Sequence, residues 1–253
     1  MRNTAGTFRV GAALGVLALL MSAALLMSAA PPTAASARAR VAGSVGLSDG
    51  RTFAHWAHPE RRAFVRRRPS HRSGSVARLR YLTEDGYPEV YAILRRFRDR
   101  NGRTWFEIGL PLRPNGRTGW VREFALGRLH RVGTRLVVDR VRLRATLYRS
   151  GKRIWQSRVG VGKASSPTPA GRFWIREKFR VAKPHGQYGP RAFGTSSYSR
   201  LSDWPGGGVV GIHGTDAPAL IPGRPSHGCI RVRNQAIKRL YRLMPIGTPM
   251  LVR

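Results

Sequence analysis

The stretch VVGIHGTDAPALIPGRPSHGCIRV, Val209 to Val232, places the two most reactive side-chain types of this chain, His213 and Cys229, sixteen residues apart, around a Gly- and Pro-rich insert. The apolar run VVGI reads as a strand that delivers His213 at its end, and Ser226-His227-Gly228-Cys229 follows. Cys229 is the only cysteine among 253 residues. A thiol of ordinary pKa is mostly protonated at neutral pH, so nucleophilic work needs a base within hydrogen-bond reach. His227, two residues away, shares a face with Cys229 if the segment is extended, and either touches the thiol or braces the loop. His213 would come from a neighbouring strand, the usual way a base is brought to a nucleophile. Gly228 permits a tight backbone, and the amides of Gly228 and Cys229 are candidates to face a developing oxyanion. The bland alternatives are a small buried apolar cysteine and a satisfied structural histidine, with Asp216 either orienting His213 or serving a turn.

Outward from this stretch the pattern is β. RLVVDRVRLRATLYRSGKRIWQSRVGVG, from Arg135, alternates at Leu143, Ala145 and Leu147, and Ser150-Gly151 marks a hairpin turn. SSPTPAGRFWI, with two prolines and a glycine before an aromatic strand, reads as an ordered loop. Residues 180–208 form a long irregular excursion with Tyr188 and Tyr198 as lid candidates. After Cys229, NQAIKRLYRLMP predicts a short helix capped by Asn234, with Ile237, Leu240, Tyr241 and Met244 on one face and Pro245 as its stop; TPMLVR supplies a last strand.

Toward the amino end, Asp85-Gly86, Asn101-Gly102 and Asn115-Gly116 punctuate short apolar runs, so residues 76–130 read as a small SH3-like β module with Trp105 and Trp120 in its core. Residues 38–75, which contain ERRAFVRRRPSHRSGS, read as a basic linker, and His55, His58 and His71, with His130 further on, read as solvated. Residues 1–37 carry Arg2 and Arg9, an uncharged run from Val10 to Ala30, and Ala35-Ser36-Ala37, the form of a secretory signal or an uncleaved membrane anchor. Both readings put the rest outside the cytoplasm. Lys and Arg total 46 against 12 acids, a net charge of +34. For an exported chain that charge points to anionic cell-wall polymers or lipid head groups as partners, and not to nucleic acid.

The ordered set IHGT, PSHGCIRV and the following asparagine, preceded by VGVGKASSPTPAGRFWI and followed by a helix and GTPMLV, resembles the YkuD-type L,D-transpeptidase family over about residues 132–253. LPLRPNGRTGWV is similar to the small β-rich module that precedes this domain in some actinobacterial relatives. The resemblance implies a mainly β fold: a YkuD-like β-sandwich or barrel over residues 131–253 with a short helix after the cysteine, preceded by the SH3-like module. It implies peptidoglycan stem peptides as substrates, 3→3 crosslinking or, with water as acceptor, L,D-carboxypeptidase hydrolysis, acylation by carbapenems, and no cofactor or metal. Carried onto this chain, Cys229 is the nucleophile and His213 the general base, while Ser226, His227, Gly228 and Arg231 wall the site. Gly214, Tyr188, Arg191 and Arg224 are candidates to touch substrate, the arginines through carboxylates. Twelve residues separate His213 from Ser226, fewer than in some relatives, which bears on the shape of the acceptor side. Two rivals stand beside this reading. One is a zinc hydrolase on His213, Asp216, His227 and Cys229, which lacks a second compact ligand pair. The other is a noncatalytic wall-binding protein, which would not need a thiol.

Overall fold

The computed structural model describes residues 43–203 and 205–253. The expected signal or anchor, residues 1–37, lies outside them, and so does the start of the expected linker. No helix among the described residues is long and apolar enough to cross a membrane. Residues 40–253 make one compact unit built on two sheets.

The first sheet contains β1 (Val45–Gly46), β2 (Ala54–Ala57), β3 (Phe64–Arg66), β4 (Ser75–Arg78), β5 (Tyr91–Arg98), β6 (Thr104–Gly109), β7 (Thr118–Arg122) and β8 (His130–Val132). Its order is β4-β3-β7-β6-β5-β2-β8, with β1 also on β5. The linker expected at 38–75 is therefore corrected: from Val45 onward it supplies three strands of this sheet and the first residue of a fourth. Trp56, Ala57 and Val65 are buried, and apolar burial outweighs the surrounding arginines, whose heads remain at the surface. His55 and His58 are half-buried and donate Nδ1–H to the Leu47 and Glu89 carbonyls, and Trp56 stacks on His130 at 4.2 Å between ring centroids. Trp105 and Trp120 are buried as expected, and the Asn101-Gly102 turn joins β5 to β6, with Gly102 at φ 71°.

The second sheet contains β9 (Thr134–Asp139), β10 (Arg144–Arg149), β11 (Lys152–Gly162), β12 (Gly171–Arg180), β13 (Arg191–Tyr198), β14 (Val209–His213), β15 (Gly223–Ser226), β16 (Ile230–Val232) and β17 (Pro249–Val252). The pairing β10-β9-β17-β12-β13-β14-β16-β11 returns to β10, so the sheet closes on itself as a barrel, and β15 adds to β11. Ser150 and Gly151 both take positive φ, 47° and 81°, as a tight primed turn between β10 and β11 requires. The barrel is filled by Leu136, Leu147, Val159, Val161, Phe193, Ile212 and Ile230.

Helix α1 (Asn234–Leu243) covers the barrel with Ile237 and Leu240, and Met244 completes that buried face. Arg233, not Asn234, occupies the cap position. Asn234 Oδ1 instead accepts the Thr215 amide at 2.9 Å, tying the helix start to the segment after His213.

The two halves are joined by buried polar groups. The Arg176 guanidinium, on β12, meets both carboxylate oxygens of Glu89, and both side chains are fully buried. Trp174 Nε1 donates to the Val90 carbonyl at 2.7 Å, and Asn115 exchanges two hydrogen bonds with the Tyr198 backbone at 2.8 and 2.9 Å. Tyr198 is thus an inter-module packing residue, not a lid: its hydroxyl donates to Glu84 and lies 2.9 Å from the Pro111 carbonyl.

Candidate active site

Parallel strands β14 and β16 bring the two quoted motifs together, with Ile212 opposite Ile230 and His213 opposite Arg231. Cys229 immediately precedes β16, and His213 ends β14. The Gly211 amide points at the sulfur, with N to Sγ 3.4 Å. A side-chain carbon at Gly211 would lie 3.8 Å from Cys229 Sγ and 3.8 Å from His213 Cδ2, so thiol and imidazole converge over this one glycine. Both line the same cavity of about 290 Å³ and a smaller one of about 40 Å³ beside it.

His213 is only 4 % exposed. Its Nδ1 lies 2.6 Å from the Gly214 carbonyl, an acceptor, so Nδ1 carries the proton and donates it there. That leaves Nε2 as the free base and gives Gly214 the orienting role considered for Asp216, whose side chain is exposed. Burial pulls the His213 pKa down to about 4, against a smaller upward pull from the Gly214 hydrogen bond. Burial pushes the Cys229 thiol up, opposed by the Gly211 amide and the positive Arg231. The resting pair is therefore neutral thiol and neutral imidazole. Tyr188, 38 % exposed, stands edge-on to the His213 ring at 4.9 Å and covers it.

The loop before Cys229 is held from below. Ser226 Oγ donates to the Cys229 carbonyl at 2.6 Å and receives the Gly228 amide at 3.2 Å. The Gly228 amide is thus committed to Ser226, and the oxyanion role expected of it is corrected. Gly228 sits at φ 132°, and a side chain there would press on Ser199 at 3.2 Å. His227 contributes its carbonyl, which accepts Ser166 Oγ at 2.7 Å and Ser199 Oγ at 3.0 Å. Thr168 Oγ1 donates to the Gly228 carbonyl at 2.8 Å and accepts the Gly162 amide at 2.9 Å. Ser166, Thr168 and Ser199 were missed as site residues. The only signal for two of them was the Pro-Thr-Pro rigidity of SSPTPAG.

Arg231, beside both reactive groups, lines the smaller cavity. Arg191 and Arg224 line neither: the Arg191 guanidinium lies over the Tyr241 ring and bonds the Pro190 carbonyl, while Arg224 is exposed and donates to the Arg140 carbonyl. Among the described residues no group of three or more His, Cys, Asp or Glu is arranged to hold a metal ion.

A closed β barrel presenting a buried imidazole and a thiol at one strand end, under a tyrosine, defines a site competent for acyl transfer through sulfur. Residues 133–252 match the model of the YkuD family, the L,D-transpeptidase catalytic domain. Bacillus subtilis YkuD is 34% identical over 90 residues, 36% of this chain and 48% of that protein. YbiS of Escherichia coli K12 is 50% identical over 42 residues, 17% of this chain and 14% of its own length. The chain thus spans half or less of the length of these curated relatives. The catalytic domain of the Enterococcus faecium L,D-transpeptidase is 29% identical, with 47% of this chain and 96% of that one covered and a TM-score of 0.36. An L,D-transpeptidase from Mycobacterium tuberculosis is 14% identical, covers 60% and 90%, and gives a TM-score of 0.40.

Proposed function

We propose that this protein is an exported L,D-transpeptidase that forms 3→3 peptidoglycan crosslinks with Cys229 as nucleophile and His213 as general base. The observation that carries the reading is the convergence of Cys229 Sγ and the His213 ring over Gly211 inside one cavity. The reaction follows from these groups. His213 Nε2 takes the thiol proton as sulfur attacks the carbonyl between the third residue of a stem tetrapeptide, a diamino acid, and its terminal D-Ala. The Gly211 amide and Arg231 favour the thiolate as it forms. Collapse of the tetrahedral adduct returns the proton to the departing D-Ala amine and leaves a thioester on Cys229. The side-chain amine of a second stem attacks that thioester, restoring the thiol and forming the crosslink. Arg231, at the rim of the smaller cavity, is placed to take a peptide carboxylate. Carbapenems would acylate the same sulfur, and the +34 charge would hold the enzyme near anionic wall polymers.

The test is intact-protein mass after mixing with a stem tetrapeptide. Wild type should gain the peptide less D-Ala and Cys229→Ala should gain nothing; a folded wild type with no adduct and no released D-Ala refutes the reading.

A further inference from the structure

The arginine-rich run ERRAFVRRRPSHRSGS takes no part in the site of Cys229, since none of its residues lines either cavity there. It folds instead as β3, the start of β4 and the turn between them, at one edge of the first sheet. Residues 61–78 contain seven arginines and no acid, and among the described residues none of the seven is in an ion pair. The backbone holds these like charges in place. The Arg67 amide donates to the Gly74 carbonyl at 2.9 Å, the Arg68 amide to Ser73 Oγ at 3.1 Å, and Arg66 Nη1 to the Ser73 carbonyl at 3.0 Å. Aromatic rings then fix the side chains. The guanidiniums of Arg66 and Arg78 lie over Phe64, 5.4 and 4.4 Å from its centroid, and that of Arg122, on β7, lies 5.5 Å from the centroid of Trp105. Arg122 Nη1 donates to His71 Nε2 at 3.0 Å, so the imidazole keeps its proton on Nδ1. Slight burial, then the charges of Arg122, Arg103 and Arg66, hold the His71 pKa below its ordinary value, as a positive field demands. Asp99, the acid that opposes them, is occupied: its carboxylate accepts the Asn101 and Arg103 amides at 3.0 and 2.9 Å and Trp105 Nε1 at 3.1 Å.

We propose that this face, Arg66, Arg78, Arg103 and Arg122 around Phe64 and His71, docks an anionic polymer with phosphodiester repeats. Several cations held at fixed positions suit a chain that carries one charge per repeat, and the guanidinium fork matches phosphate oxygens in pairs. A lipid surface fits less well, because Phe64, the exposed large apolar side chain of residues 61–78, has its ring taken by guanidiniums. Export, and so access to such a polymer, rests on the proposed function. An enzyme docked through this face keeps the cavity of Cys229 open to peptide, since no residue of the face lines it.

The test is equilibrium binding of the full chain to a synthetic glycerol phosphate hexamer as salt is raised, with anionic phospholipid vesicles as the second probe. The hexamer should bind and should weaken steeply between low and physiological salt. Arg78→Gln combined with Arg103→Gln should weaken it about 10-fold at physiological salt; both side chains are exposed, so thermal unfolding should stay close to wild type. Arg153→Gln combined with Arg239→Gln removes the same charge from exposed positions of the second half and should cost about 2-fold or less. Followed by NMR, the His71 pKa should rise as the hexamer binds and its arginine neighbours are neutralised. Equal losses in the two double variants, no binding of the hexamer, or a His71 titration that ignores it overturns the face. Vesicles that bind more tightly than the hexamer, and lose affinity with Arg78 and Arg103, reassign the face to lipid and overturn the polymer. Acyl-enzyme formation from a stem tetrapeptide is read separately. Its absence while the hexamer still binds this face refutes the transpeptidase reading alone, and acylation without hexamer binding refutes the face alone.

Discussion

Replacing Thr168 by valine keeps the shape of a side chain that is 1 % exposed and deletes one hydroxyl. That hydroxyl donates to the Gly228 carbonyl and accepts the Gly162 amide, at 2.8 and 2.9 Å. Its loss strands two buried backbone groups, and each costs about 1–3 kcal/mol when left unsatisfied, so Thr168→Val should destabilise by about 2–6 kcal/mol. For a unit of this size, each kcal/mol lowers Tm by about 2–4 °C, giving a fall of about 4–24 °C. Ser166→Ala is the comparison, because its partner, the His227 carbonyl, keeps Ser199 Oγ at 3.0 Å; that variant should lose about 1 kcal/mol or less. The assay is thermal unfolding of wild type, Thr168→Val, Thr168→Ser and Ser166→Ala, alongside peptide acylation rates. The Gly228 carbonyl adjoins Cys229, so acylation by Thr168→Val should fall even at temperatures where it is folded, while Thr168→Ser stays near wild type. Equal Tm values for Thr168→Val and Ser166→Ala would refute the view that the Thr168 hydroxyl is what satisfies both the Gly162 amide and the Gly228 carbonyl.

Three further outcomes are expected. Because burial holds His213 at about 4, the acidic limb of Cys229 acylation should lie well below pH 6; a limb near 6.5 in a pH–rate profile would contradict the buried-base geometry. The same shift makes the unfolded chain bind more protons, so His213 contributes stability that is complete above about 6.5 and lost as pH falls toward 4. Glu177 has the opposite sign: its folded pKa is raised to about 7, so its contribution is complete below about 4.5 and lost as pH rises through 7. Glu177→Gln should flatten the stability profile across that window in denaturant titrations, and an unchanged slope would count against it. Glu89→Gln removes one of the two carboxylates on the buried Arg176, with Glu84 remaining, and should cost about 1.5–3 kcal/mol by denaturant unfolding, with both halves losing structure together; independent transitions would show that the pair does not couple them.

The strand delivering His213, the short helix and the hairpin turns were legible because each rests on local pattern: an apolar run, a 3.6-residue repeat at Ile237, Leu240 and Met244, and glycines at positive φ. Residues 45–78 were not, since their strands run two to four residues, too short for alternation to register against the arginines around them. Asn234 looked like a cap because asparagine commonly caps; its side chain turned instead to the Thr215 amide, a contact set by the approach of two segments nineteen residues apart. Asp85-Gly86 was readable as a turn, but only the packing of one sheet on the other sets that turn against the cavity of Cys229. Similarly, the capture of the Gly228 amide by Ser226 is a matter of loop geometry that residue types leave open.

The barrel closes through β17, which lies between β9, parallel to it, and β12, antiparallel to it. Residues 249–252 are synthesised after every other strand of the ring, and until they arrive β9 and β12 have unpaired edges facing a gap. A nascent chain that has not reached residue 249 therefore cannot complete this barrel, however much of the reactive loop has already been made. Assembly of the thiol–imidazole pair on a finished scaffold waits for residues 249–252, so the order of synthesis itself delays the appearance of a competent site.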